Sequence, residues 1–179
     1  EWAFRKGPLI FKPSLIIELN EILGNKYDQS PIKKLGKMLT SNDLKEVCIA
    51  AELWQEYEKN LSSIAITNHD FDSILEKKIK PTERLKELPN TPFLENHYII
   101  NNFFLEKREL SNKKSILKNI PISIIQGEYD LLCPPINSLL FSKGLPKAKV
   151  IKAYGAGHYI SDPGVKDLMK QEIDGLQNL

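Results

Sequence analysis

The stretch Ile120-Pro121-Ile122-Ser123-Ile124-Ile125-Gln126-Gly127-Glu128-Tyr129-Asp130 decides the fold that this sequence predicts. Its β-branched run is typical of a short strand, with proline at the entry, where a missing N–H does least harm. The pattern then alternates: a helix opens at residues 133–135, a strand covers 149–153, and a helix capped by Asp162 covers 163–176. Strands that alternate with helices form a parallel sheet with right-handed crossovers, so we predict an α/β fold.

Asp130 and His158 each follow one of the two predicted strands. Functional groups in such sheets lie in the loops beyond the carboxyl ends of the strands, and neighbouring parallel strands bring those loops together. We therefore expect a hydrogen bond between the carboxylate and the imidazole, with Gly155 and Gly157 allowing the tight turn that presents the ring. An acid followed by a histidine is the order of the α/β-hydrolase triad. The alternative is a turn aspartate and a surface histidine.

A nucleophile for such a triad is missing from the sequence, because no Gly-x-Ser-x-Gly occurs in it. Ser161 lacks the strand-to-helix turn that a nucleophile needs, and Cys133 follows the acid directly and is expected to pack inside a helix. The chain also begins at Glu1 without methionine. We therefore expect an N-terminal half with the nucleophile, either as a separate chain or as a segment missing from this one.

Residues 1–105 carry helical patterning without a convincing strand. The best helix follows a capping signal at residues 40–43. Its apolar positions recur with the period of a helix, which predicts one buried face made of Leu44, Val47, Cys48, Ala51, Trp54, Tyr57 and Leu61.

Glu58 falls inside this apolar face, whereas Glu52, Glu56 and Lys59 fall on the opposite side, where charges are solvated. A buried carboxylate is costly unless a partner satisfies it. Glu58 is therefore either part of an internal ion pair, for example with Arg5 or a lysine, or a carboxylate that awaits a cationic ligand.

Three stretches resemble the proline iminopeptidases, which are serine peptidases of the α/β-hydrolase fold. They are Phe93-Leu94-Glu95-Asn96-His97-Tyr98, Gln126-Gly127-Glu128-Tyr129-Asp130-Leu131-Leu132-Cys133-Pro134 and Ala156-Gly157-His158. The resemblance is close over residues 93–175 and recognisable over 1–66. It implies a fragment of that fold: a helical cap domain over residues 1–105, followed by the last strands and helices of the core parallel sheet over 106–179.

The resemblance also implies a serine aminopeptidase that releases N-terminal proline from peptides. Asp130 and His158 match the triad acid and base. Glu95 matches a cap glutamate that binds the imino group of the substrate, and Glu58, in Trp54-Gln55-Glu56-Tyr57-Glu58, matches a second glutamate with the same role. Trp54 and Tyr98, from the same two motifs, are carried over as substrate-binding residues. Two carboxylates would hold a prolyl ammonium group by charge-assisted hydrogen bonds.

Some positions depart from the family pattern, because Tyr57 replaces a tryptophan, and Ala3 and Ile99 stand where aromatic residues are usual. We therefore expect a looser pocket for the proline ring, while His69 and His97 are expected to be structural or exposed. Two alternatives remain open: another α/β-hydrolase of esterase or epoxide hydrolase type, and a truncated module that acts only in protein interaction.

The composition narrows the function classes further. The 179 residues include 25 Lys and Arg against 23 Asp and Glu, and 41% are hydrophobic, which argues against disorder and against a nucleic-acid partner. The apolar runs are too short for a membrane span. Cys48 and Cys133 lie in contexts that predict burial, which favours a reducing, cytoplasmic location. The three histidines have neither i, i+4 pairing nor thiolate partners at ligand spacing, so we expect no metal site and no cofactor.

Overall fold

A computed structural model describes residues 2–176 of the chain, the last of them by its backbone alone. The chain divides into two compact units. The first runs to Asn60 and resumes over Ile66–Phe104, and the second comprises Leu61–Ala65 and continues from Leu105. The sequence predicts a single division after residue 105, which would assign the short segment Leu61–Ala65 to the first unit rather than to the second.

The regular elements of the first unit are all helical in the part of it that the structure describes. A kinked π-helical turn, Trp2–Lys6, precedes the helices, and a short 3-10 turn, Asn102–Phe104, follows them. The helices are α1 (Gly7–Phe11), α2 (Pro13–Ile22), α3 (Ile32–Leu39), α4 (Leu44–Ser62), α5 (Phe71–Glu76), α6 (Pro81–Glu87) and α7 (Thr91–Ile100).

Helix α4 is the best helix predicted from the sequence, and it forms as expected. Asp43 caps it, because its Oδ1 accepts a hydrogen bond from Lys45 N over 2.8 Å. The predicted apolar face is buried except for Leu44, which is exposed. The Phe4 ring packs on this face, 5.0 Å from the Trp54 ring and 5.3 Å from the Tyr57 ring between centroids.

Of the three charges predicted on the solvated side of α4, only Lys59 is well exposed, since the side chains of Glu52 and Glu56 are 11% and 15% exposed. Glu52 is almost buried and binds Arg84 through two hydrogen bonds, of 2.6 and 2.7 Å, while Arg84 also donates to Ile74 O over 2.9 Å. Burial alone would raise the pKa of Glu52, but the hydrogen bonds from Arg84 and Lys77 outweigh it and lower the pKa. The reason for the error is that α6 supplies a buried cation on this side, which the pattern of α4 alone does not reveal.

The second unit contains two parallel strands, β1 (Ile122–Gly127) and β2 (Ala148–Ala153), as the sequence predicts. They pair in a register that sets Ile122 opposite Ala148 and Gly127 opposite Ala153. Both strands contact two helices. The helices of this unit are α8 (Glu109–Lys113), α9 (Pro135–Ser142) and α10 (Val165–Leu176), with a 3-10 turn at Lys114–Leu117.

The predicted cap of the last helix is also wrong. Helix α10 begins at Val165 rather than 163, and the Asp162 side chain turns back instead of capping it. Its Oδ2 accepts hydrogen bonds from Gly157 N over 2.7 Å and Tyr159 N over 3.3 Å. The Asp162 carboxylate therefore stabilises the loop that carries His158.

Apolar side chains of the second unit are exposed in large number. They include Leu110, Ile116, Ile120, Ile136, Leu139, Leu140, Tyr154, Ile160 and Ile173. Across residues 2–176, no helix combines the length and the apolar composition that a membrane crossing requires.

Candidate functional site

The loops after β1 and β2 bring Asp130 and His158 together, as the sequence predicts. Asp130 Oδ2 lies 2.9 Å from His158 Nδ1. The carboxylate is 7% exposed and the imidazole 41% exposed, so a buried acid holds a ring that solvent can reach. This is the geometry in which an acid orients a histidine for proton transfer.

Backbone groups fix the orientation of the Asp130 carboxylate. Its Oδ1 accepts hydrogen bonds from Leu132 N over 3.0 Å and from Cys133 N over 2.8 Å, which leaves Oδ2 for the histidine. Because an ionised carboxylate can only accept, the proton of a neutral His158 ring is assigned to Nδ1. The lone pair of that tautomer is on Nε2, the atom that can take a proton from a hydroxyl group.

Two glycines allow the loops to approach closely enough for this contact. A Cβ at Gly127 would lie 1.8 Å from Gly157 O, and a Cβ at Gly157 would lie 2.2 Å from Ser62 O. His158 N donates a hydrogen bond to Ser62 O over 2.7 Å. The backbone contacts therefore place the histidine, and a side chain at either glycine would displace it.

Cys133 differs from the prediction, because it is exposed and not packed inside a helix. It lies just before α9, and one potential ligand atom from each of Asp130, Cys133 and His158 lies within 4.8 Å of the other two. Partial burial of the thiol and the nearby Asp130 charge raise the pKa of Cys133. Sequence spacing missed this cluster because β2 carries His158 back to a loop that lies 25 residues earlier.

The first unit brings together the two glutamates that were predicted to bind an amine. Glu58 on α4 and Glu95 on α7 are half-buried and share a hydrogen bond, and the Trp54 indole N–H donates to Glu95 Oε2 over 2.9 Å. Burial, the hydrogen bond to Glu95 and the Glu95 charge raise the pKa of Glu58 to about 8. The pair therefore retains a proton at neutral pH.

The ion-pair alternative for Glu58 named Arg5, and the structure gives that guanidinium a different contact. Arg5 Nε donates to Asp28 O over 2.9 Å. The contacts that set the pKa of Glu58 come instead from Glu95 and Trp54.

The two aromatic residues carried over as substrate-binding residues differ in exposure. Trp54 is completely buried, so its effect on a ligand would act through the glutamate that it contacts. Tyr98 is 46% exposed, one helical turn after Glu95, and its ring lies 6.5 Å from that of Phe103 and 5.7 Å from that of Phe104. The substrate-binding roles of both stay predictions.

The other two histidines belong to the first unit. His97 is exposed and packs against Tyr98 and Phe104. His69 Nε2 lies 2.8 Å from Glu18 Oε2.

The chain is similar in sequence to curated peptidases. No protein-family model matches it. It is 26% identical to the proline iminopeptidase of Arabidopsis thaliana over 92% of its own length, and 30% identical to that of Xylella fastidiosa strain Temecula1 over 98%. It is also 30% identical to the proline iminopeptidase of Neisseria meningitidis serogroup B over 73% of its length. The resemblance to proline iminopeptidases that the motifs indicate is thus confirmed.

The match covers only part of each relative. The chain spans 42%, 52% and 39% of these three proteins, which is about half of their length or less. The similarity therefore concerns one portion of a peptidase, and the activity of a whole protein is a matter for proposal.

Proposed function

We propose that this chain forms the C-terminal part of a serine aminopeptidase of the α/β-hydrolase fold that releases N-terminal proline from peptides. In this proposal residues 1–105 are a helical cap and residues 106–179 are the end of the core. The similarity to proline iminopeptidases supports it, as do the parallel strands that lead to Asp130 and His158.

Proton transfer is the role of Asp130 and His158 in this proposal. A serine outside the chain attacks the carbonyl of the prolyl residue while His158 takes its proton at Nε2. The Asp130 carboxylate orients the ring and stabilises the imidazolium. His158 then protonates the leaving amine, and water releases the acyl group in a second step of the same kind. The oxyanion hole comes largely from the part of the enzyme that carries the serine.

Recognition of the chain end is the role of Glu58 and Glu95, and their contact is the observation that carries the proposal. Two carboxyl groups that share a hydrogen bond in a half-buried site hold a proton where a cation would fit. A prolyl N-terminus is a secondary ammonium with two N–H donors, so it can replace that proton and satisfy both acids. An internal proline has no charge to offer and would leave the acids unpaired, which favours an exopeptidase.

The second unit also requires a covering surface in this proposal. Within the described residues it has two strands, and many of its apolar side chains are exposed, a combination that does not support independent stability. The partner is the N-terminal half of the same hydrolase. We expect the chain alone to associate or to remain partly molten, and a sharp cooperative melt of a monomer would contradict this.

The proposal is tested in an active protein that includes this chain and the serine. The substrates are proline 7-amido-4-methylcoumarin, its N-acetylated form and p-nitrophenyl acetate. A charge-assisted hydrogen bond contributes about 1.5–3 kcal/mol, so Glu58→Gln and Glu95→Gln should each lower kcat/KM for the free prolyl substrate by about 10- to 150-fold. Ester turnover should change less than about twofold, as should every activity of Glu46→Gln, an exposed glutamate on α4.

Equal losses on the prolyl and ester substrates would refute amine recognition by the pair. Ester turnover without prolyl turnover would favour the alternative of an esterase-type hydrolase. Failure of a fluorophosphonate to label the protein would favour the alternative of a non-catalytic interaction module.

A further inference from the structure

Three residues of the second unit offer different metal-ligating atoms at one point. Asp130 supplies a carboxylate oxygen, Cys133 a thiol sulfur and His158 an imidazole nitrogen, and one such atom from each lies within 4.8 Å of the other two. The acid is buried, whereas the cysteine and the histidine are exposed. A dissolved ion can therefore reach the cluster from the side of its sulfur and nitrogen ligands.

The donor set indicates which ions would bind. Sulfur, imidazole nitrogen and one carboxylate oxygen are the ligands that Zn²⁺ takes in proteins, whereas Mg²⁺ and Ca²⁺ take oxygen ligands alone. Three protein ligands leave one position of a tetrahedral ion for water. A site of this composition should therefore select Zn²⁺ and its chemical relatives, such as Co²⁺.

We propose that Asp130, Cys133 and His158 form a binding site for Zn²⁺ or a related divalent transition metal, and that the bound ion switches off proton transfer by His158. The existence of the site is independent of the function proposed above, and only the switch rests on it.

The required movement is small. With metal–ligand distances of about 2.0–2.3 Å, tetrahedral ligands lie about 3.4–3.6 Å from one another. Asp130 Oδ2 and His158 Nδ1 lie 2.9 Å apart and would separate by about 0.5 Å. Cys133 Sγ, on an exposed residue, would approach by about 1.4 Å at most, given the present limit of 4.8 Å.

The carboxylate is held in place for this role by groups outside the ligand set. Leu132 N and Cys133 N both donate to Asp130 Oδ1, over 3.0 and 2.8 Å, so Oδ2 alone is directed at the cluster. Hydrogen bonds of this kind orient metal ligands and strengthen their binding. Because Cys133 lies three residues after Asp130, the same turn that fixes the acid also brings the thiol to it.

The proton balance of binding is simple. The S–H bond of Cys133 breaks, a sulfur–metal bond forms, and one proton goes to solvent. The imidazole binds as the neutral ring. If the ion takes the Nδ1 lone pair, the ring proton moves to Nε2, and if it takes the Nε2 lone pair, that atom is occupied. In both cases Nε2 no longer accepts a proton, so His158 is lost as a base without covalent modification of its ring carbons.

The site is tested with Co²⁺ on the metal-free active protein that includes this chain, folded as judged by circular dichroism. We expect a thiolate-to-cobalt charge-transfer band in the near ultraviolet that saturates at one Co²⁺ per chain and disappears when Zn²⁺ is added. The band should be lost in Cys133→Ser and retained in Cys48→Ala, since Cys48 is the other free thiol and is buried. A band that persists in folded Cys133→Ser, or no band in the folded unmodified protein, would overturn the site.

The switch is tested in the active protein that includes this chain. Saturating Zn²⁺ should lower prolyl substrate turnover at least tenfold, and Cys133→Ser should reduce the inhibition to less than twofold while basal turnover is retained. A cobalt band at one ion per chain without inhibition would overturn the switch. Absence of any prolyl turnover in the metal-free protein refutes the proposed function, and the cobalt band still decides the site.

Discussion

Glu58 gives the sharpest prediction about stability, because its carboxyl group is held next to a second acid. The pKa of Glu58 is raised from 4.5 to about 8 by burial and by Glu95. Glutamine is similar in size to the protonated acid and can donate the same hydrogen bond, but it never ionises. Comparing Glu58→Gln with the unmodified protein therefore isolates the cost of the charge.

The sign of the effect follows from the protons that each state binds. Below pH 4.5 both the folded and the unfolded chain hold the Glu58 proton, and the charge costs nothing. Between pH 4.5 and 8 the unfolded chain releases the proton and the folded chain keeps it, so the free energy of unfolding decreases by about 1.4 kcal/mol per pH unit. Above pH 8 both states are ionised and the loss is constant.

The expected difference is large enough to measure. From pH 5 to pH 8 it reaches about 4 kcal/mol as an upper limit, in favour of Glu58→Gln. Amide hydrogen exchange of peptides from α4 and α7 should thus be slower in the variant, by a ratio of up to about four at pH 5 that rises by up to about tenfold per pH unit. Comparing the same peptides at the same pH cancels the intrinsic pH dependence of exchange.

Glu46→Gln is the matched control, since this exposed residue on α4 should give a ratio near one at every pH. A ratio for Glu58→Gln that stays constant between pH 5 and 8 would show that the Glu58 proton is not retained. Faster exchange in the variant at pH 8 would show that the charge stabilises the fold, and would refute the reasoning.

Two further predictions concern packing and a buried ion pair. Gly127→Ala should lower the free energy of unfolding by about 3 kcal/mol or more, because the new Cβ would lie 1.8 Å from a carbonyl oxygen. Gly175→Ala on α10 meets no atom within 4 Å and should raise the free energy of unfolding by about 0.5–1 kcal/mol. Urea unfolding compares the two variants. Glu52→Gln should lower the free energy of unfolding by about 3–5 kcal/mol, since Arg84 is 5% exposed and keeps its charge. Lys59 is 54% exposed, so Lys59→Ala should lower it by less than about 0.5 kcal/mol in the same measurement.

The parts of the fold and site that the sequence predicts correctly are those set by local periodicity or by strand direction. The stripe on α4 is buried because its residues share one face, and the same geometry marks Glu58 as an acid on that face. Asp130 and His158 meet because consecutive parallel strands end at the same edge. In both cases the contact follows from one element or from two neighbours.

The parts that the sequence does not predict depend on which element covers which. Glu52 lies opposite the apolar stripe, and only the packing of α6 shows that Arg84 buries it. Asp162 stands where a helix cap is expected, yet its carboxylate accepts hydrogen bonds from two N–H groups of the loop before it. Sequence spacing does not reveal either contact. The partner of Glu52 is on a helix some 30 residues away, and the partners of Asp162 are N–H groups of a turn.

The two groups of candidate site residues should affect catalysis in different ways, because each is assembled within its own unit. Glu58 and Glu95 hold a charge that the substrate carries before and during the reaction, so their loss weakens ground state and transition state alike and raises KM more than it lowers kcat. Asp130 and His158 act on a proton that moves only in the transition state, so their loss lowers kcat. If Glu58→Gln lowered kcat with KM unchanged, the pair would instead contribute to the chemical step, and amine binding would not explain its position.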